Sequence, residues 1–212
     1  FVSVKEFNEI DSVVMATRKG IIKRTTLDQY SRPRKGGIYA IEVRDDDELI
    51  EAKITNGDND IILGTHLGKS IRFNENNVRQ TGRKTMGVRG IRLSSKDDYV
   101  VGMIVVKREG TILVATDKGF GKRTNVIEYR TQNRGGKGII TIKTTDKVGK
   151  LVAMLEVVDN DDLMIITDSG IMIRQPVKDI RAIGRNTQGV KLLKLDEGAT
   201  ISSISRVMEK SD

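Results

Sequence analysis

Val-Val-Met-Ala-Thr-Arg-Lys-Gly-Ile-Ile-Lys-Arg (residues 13–24) decides the fold, because the chain repeats its pattern four times. The other copies are Ile-Ile-Leu-Gly-Thr-His-Leu-Gly-Lys-Ser-Ile-Arg (61–72), Ile-Leu-Val-Ala-Thr-Asp-Lys-Gly-Phe-Gly-Lys-Arg (112–123) and Leu-Met-Ile-Ile-Thr-Asp-Ser-Gly-Ile-Met-Ile-Arg (163–174). Their turn glycines are Gly20, Gly68, Gly119 and Gly170, and a second glycine follows each, at Gly37, Gly87, Gly138 and Gly189. A fixed period near 50 residues marks a repeat architecture. Any chemistry is then expected at equivalent positions rather than in one pocket.

Each repeat reads as four strands. The first is an apolar run: Val13–Thr17, Ile61–Thr65, Ile112–Thr116, Leu163–Thr167. Runs of this kind suit a strand covered on both faces. A glycine turn leads to a second strand carrying Lys23, Arg24, Arg72, Lys122, Arg123 and Arg174. A loop of about a dozen residues follows. The third strand alternates, as in 139–143 and 190–194, and the fourth is Leu49–Thr55, Val100–Val106, Leu151–Val158 and Ile201–Val207. The fold class is therefore all-β. Four antiparallel strands in one period is the size of a propeller blade. The repeats span about 11–56, 59–106, 110–158 and 161–207 in one array, and residues 1–10 read as a leftover strand from a preceding repeat. Helix is limited to single turns at Leu27–Tyr30, Glu75–Val78, Val126–Tyr129 and Val177–Ile180, each ending on an apolar anchor for its loop. Because Phe1 is not an initiator methionine, the chain reads as a piece of something longer.

Composition narrows the partners. The 212 residues carry a formal charge of +8, which favours a polyanion. There is no cysteine, so thiolate metal sites and disulfides are excluded, and a reducing cytoplasm is suited. No apolar run is long enough to span a membrane as a helix.

The long loops concentrate positive charge beside glycine. Arg83, Arg134 and Arg185 each lie four residues before the second glycine; Arg34 is one step off in the shorter first loop. Around them stand Arg32, Lys35, Arg79, Lys84, Arg130, Lys137 and Arg181. Guanidinium forks beside a glycine backbone form a natural phosphate site. Aromatic residues are only 4%, with no tryptophan. Single-strand binders need stacking platforms, whereas binders of the duplex backbone do not. Double-stranded DNA is the expected partner, held on a basic rim with little base readout.

Gln132-Asn133-Arg134-Gly135-Gly136-Lys137-Gly138 resembles the Gln-Arg-Arg-Gly-Gly-Lys-Gly box of the DNA gyrase A family, with Asn133 replacing the first arginine. Residues 122–124, 85–93 and 184–190 resemble the C-terminal domain of the same type IIA topoisomerase family, in register on the 50-residue period. The resemblance implies a β-pinwheel with strands exchanged between blades, wrapping duplex DNA to support ATP-dependent negative supercoiling. It adds Gln132, Gly135, Gly136 and Gly138 to the expected DNA-binding residues. It places ATP, Mg²⁺ and DNA cleavage elsewhere, in the parent chain's cleavage core and the gyrase B partner, with this segment itself non-catalytic and no cofactor in it. It implies a bacterial cytoplasmic, nucleoid-associated setting. The box-like motif lies in the third repeat, whereas the family's defining box lies in the first blade; by register these repeats resemble the last four blades. One alternative is the C-terminal domain of the A-type chain of topoisomerase IV. Another, from a different class, is a propeller that docks proteins.

An active site has little to build on. His66, the only histidine, reads as a surface turn residue. The acidic runs 45–48 and 159–162 read as strand connectors, and Tyr30, Tyr39, Tyr99 and Tyr129 stand in no nucleophile context.

Overall fold

The computed structural model describes residues 2–4 and 6–208. The fold is all-β. The first repeat gives β1 (Ser12–Thr17), β2 (Ile21–Thr26) and β3 (Leu49–Thr55). The second gives β4 (Asp60–Thr65), β5 (Lys69–Asn74), β6 (Val88–Arg89) and β7 (Val100–Val105). The third gives β8 (Thr111–Thr116), β9 (Phe120–Asn125), β10 (Ile139–Ile140) and β11 (Leu151–Val157). The fourth gives β12 (Asp161–Thr167), β13 (Met172–Pro176), β14 (Val190–Lys191) and β15 (Ile201–Met208). The apolar runs form the buried central strands, as in β1, which is buried at every position. Turns of 3-10 helix at Leu27–Tyr30, Glu75–Asn77, Val126–Glu128 and Val177–Asp179 follow the second strands. The residues that cap or close them, Val78, Tyr129 and Ile180, are buried and pin the loops, with Tyr30 half-buried in the same role.

Sheet order shows that each of the first three blades is completed by the next repeat. The sheets run β3-β1-β2-β6, β10-β5-β4-β7, β11-β8-β9-β14 and β13-β12-β15. The short third strand always pairs on the preceding repeat's second strand: Ile22 with Val88, Ser70 with Ile139, Gly121 with Val190. These third strands hold two residues each, not the expected five. Beyond the pair they run over the end of the hairpin, where two successive N–H groups reach one carbonyl. Gly90 and Ile91 donate to Gly20, Thr141 and Ile142 to Gly68, Leu192 and Leu193 to Gly119.

This contact explains the first glycine of the period. At Gly119, φ is +80° and a Cβ would meet the Leu193 carbonyl oxygen at 2.6 Å. At Gly170, where among the described residues no third strand arrives, a Cβ would meet nothing within 4 Å. Gly119→Ala should therefore destabilise by roughly 2–4 kcal/mol, left-handed strain plus a backbone clash. Gly170→Ala should cost only the strain, about 1 kcal/mol. Urea unfolding of both variants checks the difference; equal losses would remove the packing term.

Contacts divide the chain into two compact units, Phe1–Leu63 with Ile71–Val106 and Thr131–Gly138, and Gly64–Ser70 with Lys107–Arg130 and Ile139–Asp212. The first is centred on Val14, Ile22, Ile61, Leu63, Phe73 and Met103. The second is centred on Leu113, Ala115, Val157, Leu163, Ile165 and Ile204.

The strand expected over residues 1–10 does not form among the described residues there; Phe1 and Lys5 lie outside them. Asn8 Oδ1 accepts from the N–H groups of Ile10 and Asp11 at 3.0 and 2.7 Å, which turns the chain. Val4 packs on Val13, Met15 and Leu27 instead of pairing along a strand edge.

Candidate nucleic-acid interface

The basic residues separate into two groups that the sequence pattern did not distinguish. Second-strand cations mostly turn inward, because the loop of the next repeat covers them. Lys23, Arg24 and Lys122 are buried, and Arg72 and Arg123 are half-buried. Arg24 Nε lies 3.1 Å from Glu75 Oε2, and its Nη1 donates to Asn76 Oδ1 at 2.8 Å. Arg72 pairs with Asp60 at 2.7 Å, and Arg123 pairs with Asp159. Arg174 is exposed but donates from both Nε and Nη2 to Asp162 Oδ2, each contact at 2.6 Å. Burial of Lys23, Arg24 and Lys122 and ion pairing of half-buried Arg72 and Arg123 tell against the expected direct contact of these five with DNA, and the charge of Arg174 is neutralised in place.

The loop cations behave differently. Arg32, Arg34, Lys35, Arg79, Lys84, Arg130, Lys137 and Arg181 are exposed, and among the described residues none is in an ion pair. Arg79, Arg130 and Arg181 each stand seven residues after the second-strand arginine, at the close of the 3-10 turn. Lys84 lies 5.6 Å from the ring of Tyr39.

Arg83, Arg134 and Arg185 are half-buried and partly structural. Arg134 donates from Nε to the Asn77 carbonyl at 2.7 Å and from Nη1 to the Arg89 carbonyl at 3.2 Å. Arg185 donates to the Ile140 carbonyl, 45 residues back as in Arg134 to Arg89. The backbone N–H of Arg185 also donates to Glu128 Oε2 at 3.1 Å. Such guanidinium–carbonyl bonds order the loop while leaving donors of the fork over.

Within the box-like segment, the Gln132 N–H donates to the Arg72 carbonyl at 2.8 Å. Gly135 takes φ +79° and donates its N–H to the Gly90 carbonyl at 2.6 Å, so that N–H serves the fold rather than an anion nest. The Gly136 carbonyl accepts from the Arg92 N–H at 2.8 Å. Gly138 closes the segment at φ +68°. Lys137 is its exposed cation.

Three exposed cations escaped the sequence reading: Arg92, Lys143 and Lys194, each five residues after the second glycine on the 51-residue period. Arg92 is tied to the Gly136 carbonyl and Lys143 to the Thr187 carbonyl through their N–H groups, which sets them beside the loops. Their spacing was the available signal. It was hidden because they fall in the stretch read as alternating strand.

His66, Tyr129 and much of the acidic runs have structural partners. His66 is half-buried, not a free surface turn, with Nδ1 3.0 Å from the Leu151 carbonyl. Tyr129 is buried with its hydroxyl 2.7 Å from Thr141 Oγ1, and burial pushes it up to about 12. In the acidic runs, Glu48 pairs with Arg18, Asp46 with Lys19, and buried Asp161 with Arg108. No group of three metal-ligating side chains occurs among the described residues. None of the described helices is long and apolar enough to cross a membrane.

The repeats match known proteins. The family described as DNA gyrase C-terminal domain, beta-propeller matches residues 11–56, 59–107, 110–157 and 161–208. The chain is 44% identical over 209 residues to the DNA gyrase A protein of Salmonella typhimurium, covering 99% of this chain and 24% of that protein. It is 44% identical over 214 residues to the DNA gyrase A protein of Staphylococcus epidermidis, covering all of this chain and 24% of that protein. The chain thus spans about a quarter of the length of these curated relatives. Among solved structures, the C-terminal domain of a DNA topoisomerase IV aligns with a TM-score of 0.90 at 25% identity, covering 97% of this chain and 64% of that one. A DNA gyrase A C-terminal domain aligns with a TM-score of 0.85 at 26% identity, covering 97% and 68%.

Proposed function

The chain belongs to the DNA gyrase C-terminal domain, beta-propeller family, and from that premise we propose that it binds and wraps duplex DNA as part of a gyrase A protein. One observation carries this reading: exposed loop cations recur on the 51-residue period without carboxylate partners among the described residues. Unneutralised arginines at regular intervals suit a partner with regular negative charge, and duplex DNA carries one per ≈ 1.7 Å of axis. The binding residues are Arg32, Arg34, Lys35, Arg79, Arg83, Lys84, Arg130, Arg134, Lys137, Arg181 and Arg185, joined by Arg92, Lys143 and Lys194. Gln132 and the glycines of the box-like segment shape its loop.

Binding is electrostatic, so bending the duplex must be offset by many phosphate contacts; 40–90° over 20–30 bp costs of order 1–6 kcal/mol. The domain supports supercoiling by the whole enzyme, whose cleavage core, gyrase B partner, ATP and Mg²⁺ lie outside this chain. Its setting is the bacterial cytoplasm, on the nucleoid. Identity of 44% over nearly the whole chain to gyrase A proteins supports the gyrase A reading; the two structural matches, at 25% and 26% identity, do not separate gyrase A from topoisomerase IV.

Ligation of nicked circular plasmid with increasing protein, followed by deproteinisation, tests the reading. The linking number is expected to shift progressively positive. Binding without a shift would retain the DNA-binding domain and remove chiral wrapping by these repeats.

A further inference from the structure

The third residue after the turn glycine alternates along the chain: Lys23, Ile71, Lys122, Ile173. Both lysines are essentially inaccessible, at 1% and 0% exposure. Lys122 Nζ donates to the Gly184 carbonyl at 2.6 Å, to the Arg185 carbonyl, and to Thr187 Oγ1 at 3.0 Å. Lys23 Nζ donates to the carbonyls of Ala40 and Arg83, each at 2.5 Å. Arg83 and Arg185 occupy the same loop position, four before the second glycine. Each lysine therefore holds, by its main chain, an arginine of the next repeat's loop.

The loop of the third repeat has a different seat. There Ile71 Cδ1 lies 3.5 Å from where a Gly136 Cβ would stand, and Arg134 is fixed through its own guanidinium. The fold thus accepts isoleucine under this loop. A buried ammonium without a carboxylate is costly, and among the described residues neither lysine forms an ion pair. Stability alone does not account for the lysines.

We propose that Lys23 and Lys122 are positioning residues for phosphate binding, each locking the next repeat's arginine loop by its carbonyls while placing an unneutralised charge beneath it. The inference rests on the DNA-binding reading above. Burial, with the nearby Arg185 adding and Glu128 opposing, brings Lys122 down to about 8. Burial and Arg83 bring Lys23 down to about 8 as well. Tyr129 stays protonated over this range. A phosphate on the loop favours both ammonium forms, so DNA binding takes up protons and weakens as pH rises past 8. The sign is opposite for folding. A lysine that titrates lower when folded binds fewer protons than in the unfolded chain, so its contribution to stability rises between about 8 and 10.5.

The test is fluorescence anisotropy with a linear duplex from pH 6.5 to 9.0 at fixed ionic strength, on the wild type, Lys122→Met, Lys23→Met/Lys122→Met and Arg185→Gln. Lys122→Met is expected to weaken binding roughly fivefold at pH 7 and to speed amide exchange over residues 184–189 about tenfold. The double variant should show a flat pH profile. If Lys122→Met binds and exchanges like the wild type while Arg185→Gln weakens binding, the lysines are plain core and the DNA-binding reading survives alone. A wild-type chain that binds no duplex would remove both. Should the methionine variants fail to fold, Lys122→Ile carries the same comparison, and a flat wild-type pH profile is itself enough to overturn the inference.

Discussion

Replacing Arg79, Arg130 and Arg181 together by glutamate should weaken duplex binding roughly a hundredfold at low salt and reduce the slope of log affinity against log salt by about 3. Each is exposed, each follows the second-strand arginine by seven residues, and none is in an ion pair among the described residues. Each therefore contributes about one neutralised phosphate, or about 0.9 in slope. Charge reversal adds repulsion beyond that loss. The fold should be nearly indifferent, because surface changes away from caps and networks stay within about ±0.5 kcal/mol. That separates this set from Arg134 and Arg185, whose guanidinium bonds to main-chain carbonyls make their loss a change in loop order as well. Filter binding at four salt concentrations, with thermal melts alongside, provides the measurement. An unchanged slope would move the interface away from the loop tips, with Arg92, Lys143 and Lys194 the next set to test.

The largest stability effect is expected at Glu75, which is fully buried despite its charge. Its carboxylate accepts from Thr55 Oγ1 at 2.6 Å and the Asn59 N–H at 2.7 Å while pairing with buried Arg24. Glu75→Ala strands a guanidinium inside the first unit, which costs about 3–5 kcal/mol. Arg24→Met/Glu75→Leu removes both charges at similar volume and should recover most of that. Asp162→Asn, which breaks only the exposed pair to Arg174, should cost about 1 kcal/mol or less. Equilibrium urea unfolding distinguishes these outcomes. A Glu75→Ala loss as small as that of Asp162→Asn would mean water reaches Arg24 after all.

The hairpins and their turn glycines were legible because period, apolar runs and turn chemistry agreed. The resemblance to gyrase A, not periodicity, supplied strand exchange; which strands cross is a tertiary fact. The short third strands were over-read because alternation in 139–143 and 190–194 persists after pairing ends at the hairpin tip. Lys23 and Lys122 were misplaced for a related reason. A cation in an amphipathic-looking strand reads as solvent-facing, but the next repeat's loop lies over it and supplies carbonyls that no local pattern encodes. The loop cations were legible as a set, yet the division between exposed contacts and loop-ordering arginines depends on partners such as Asn77 and Arg89, 57 and 45 residues away from Arg134.

Strand exchange also sets a schedule for synthesis. Ile22 meets Val88, Ser70 meets Ile139 and Gly121 meets Val190, so each of the first three hairpins waits some 66 to 69 residues for its outer strand. At about 5–20 residues per second on the ribosome, that is roughly 3–14 s with a bare strand edge. Bare edges recruit other strands. With a similarly patterned hairpin emerging next, the foreseeable error is capture by the wrong repeat, and slower translation between periods would lengthen the window for it.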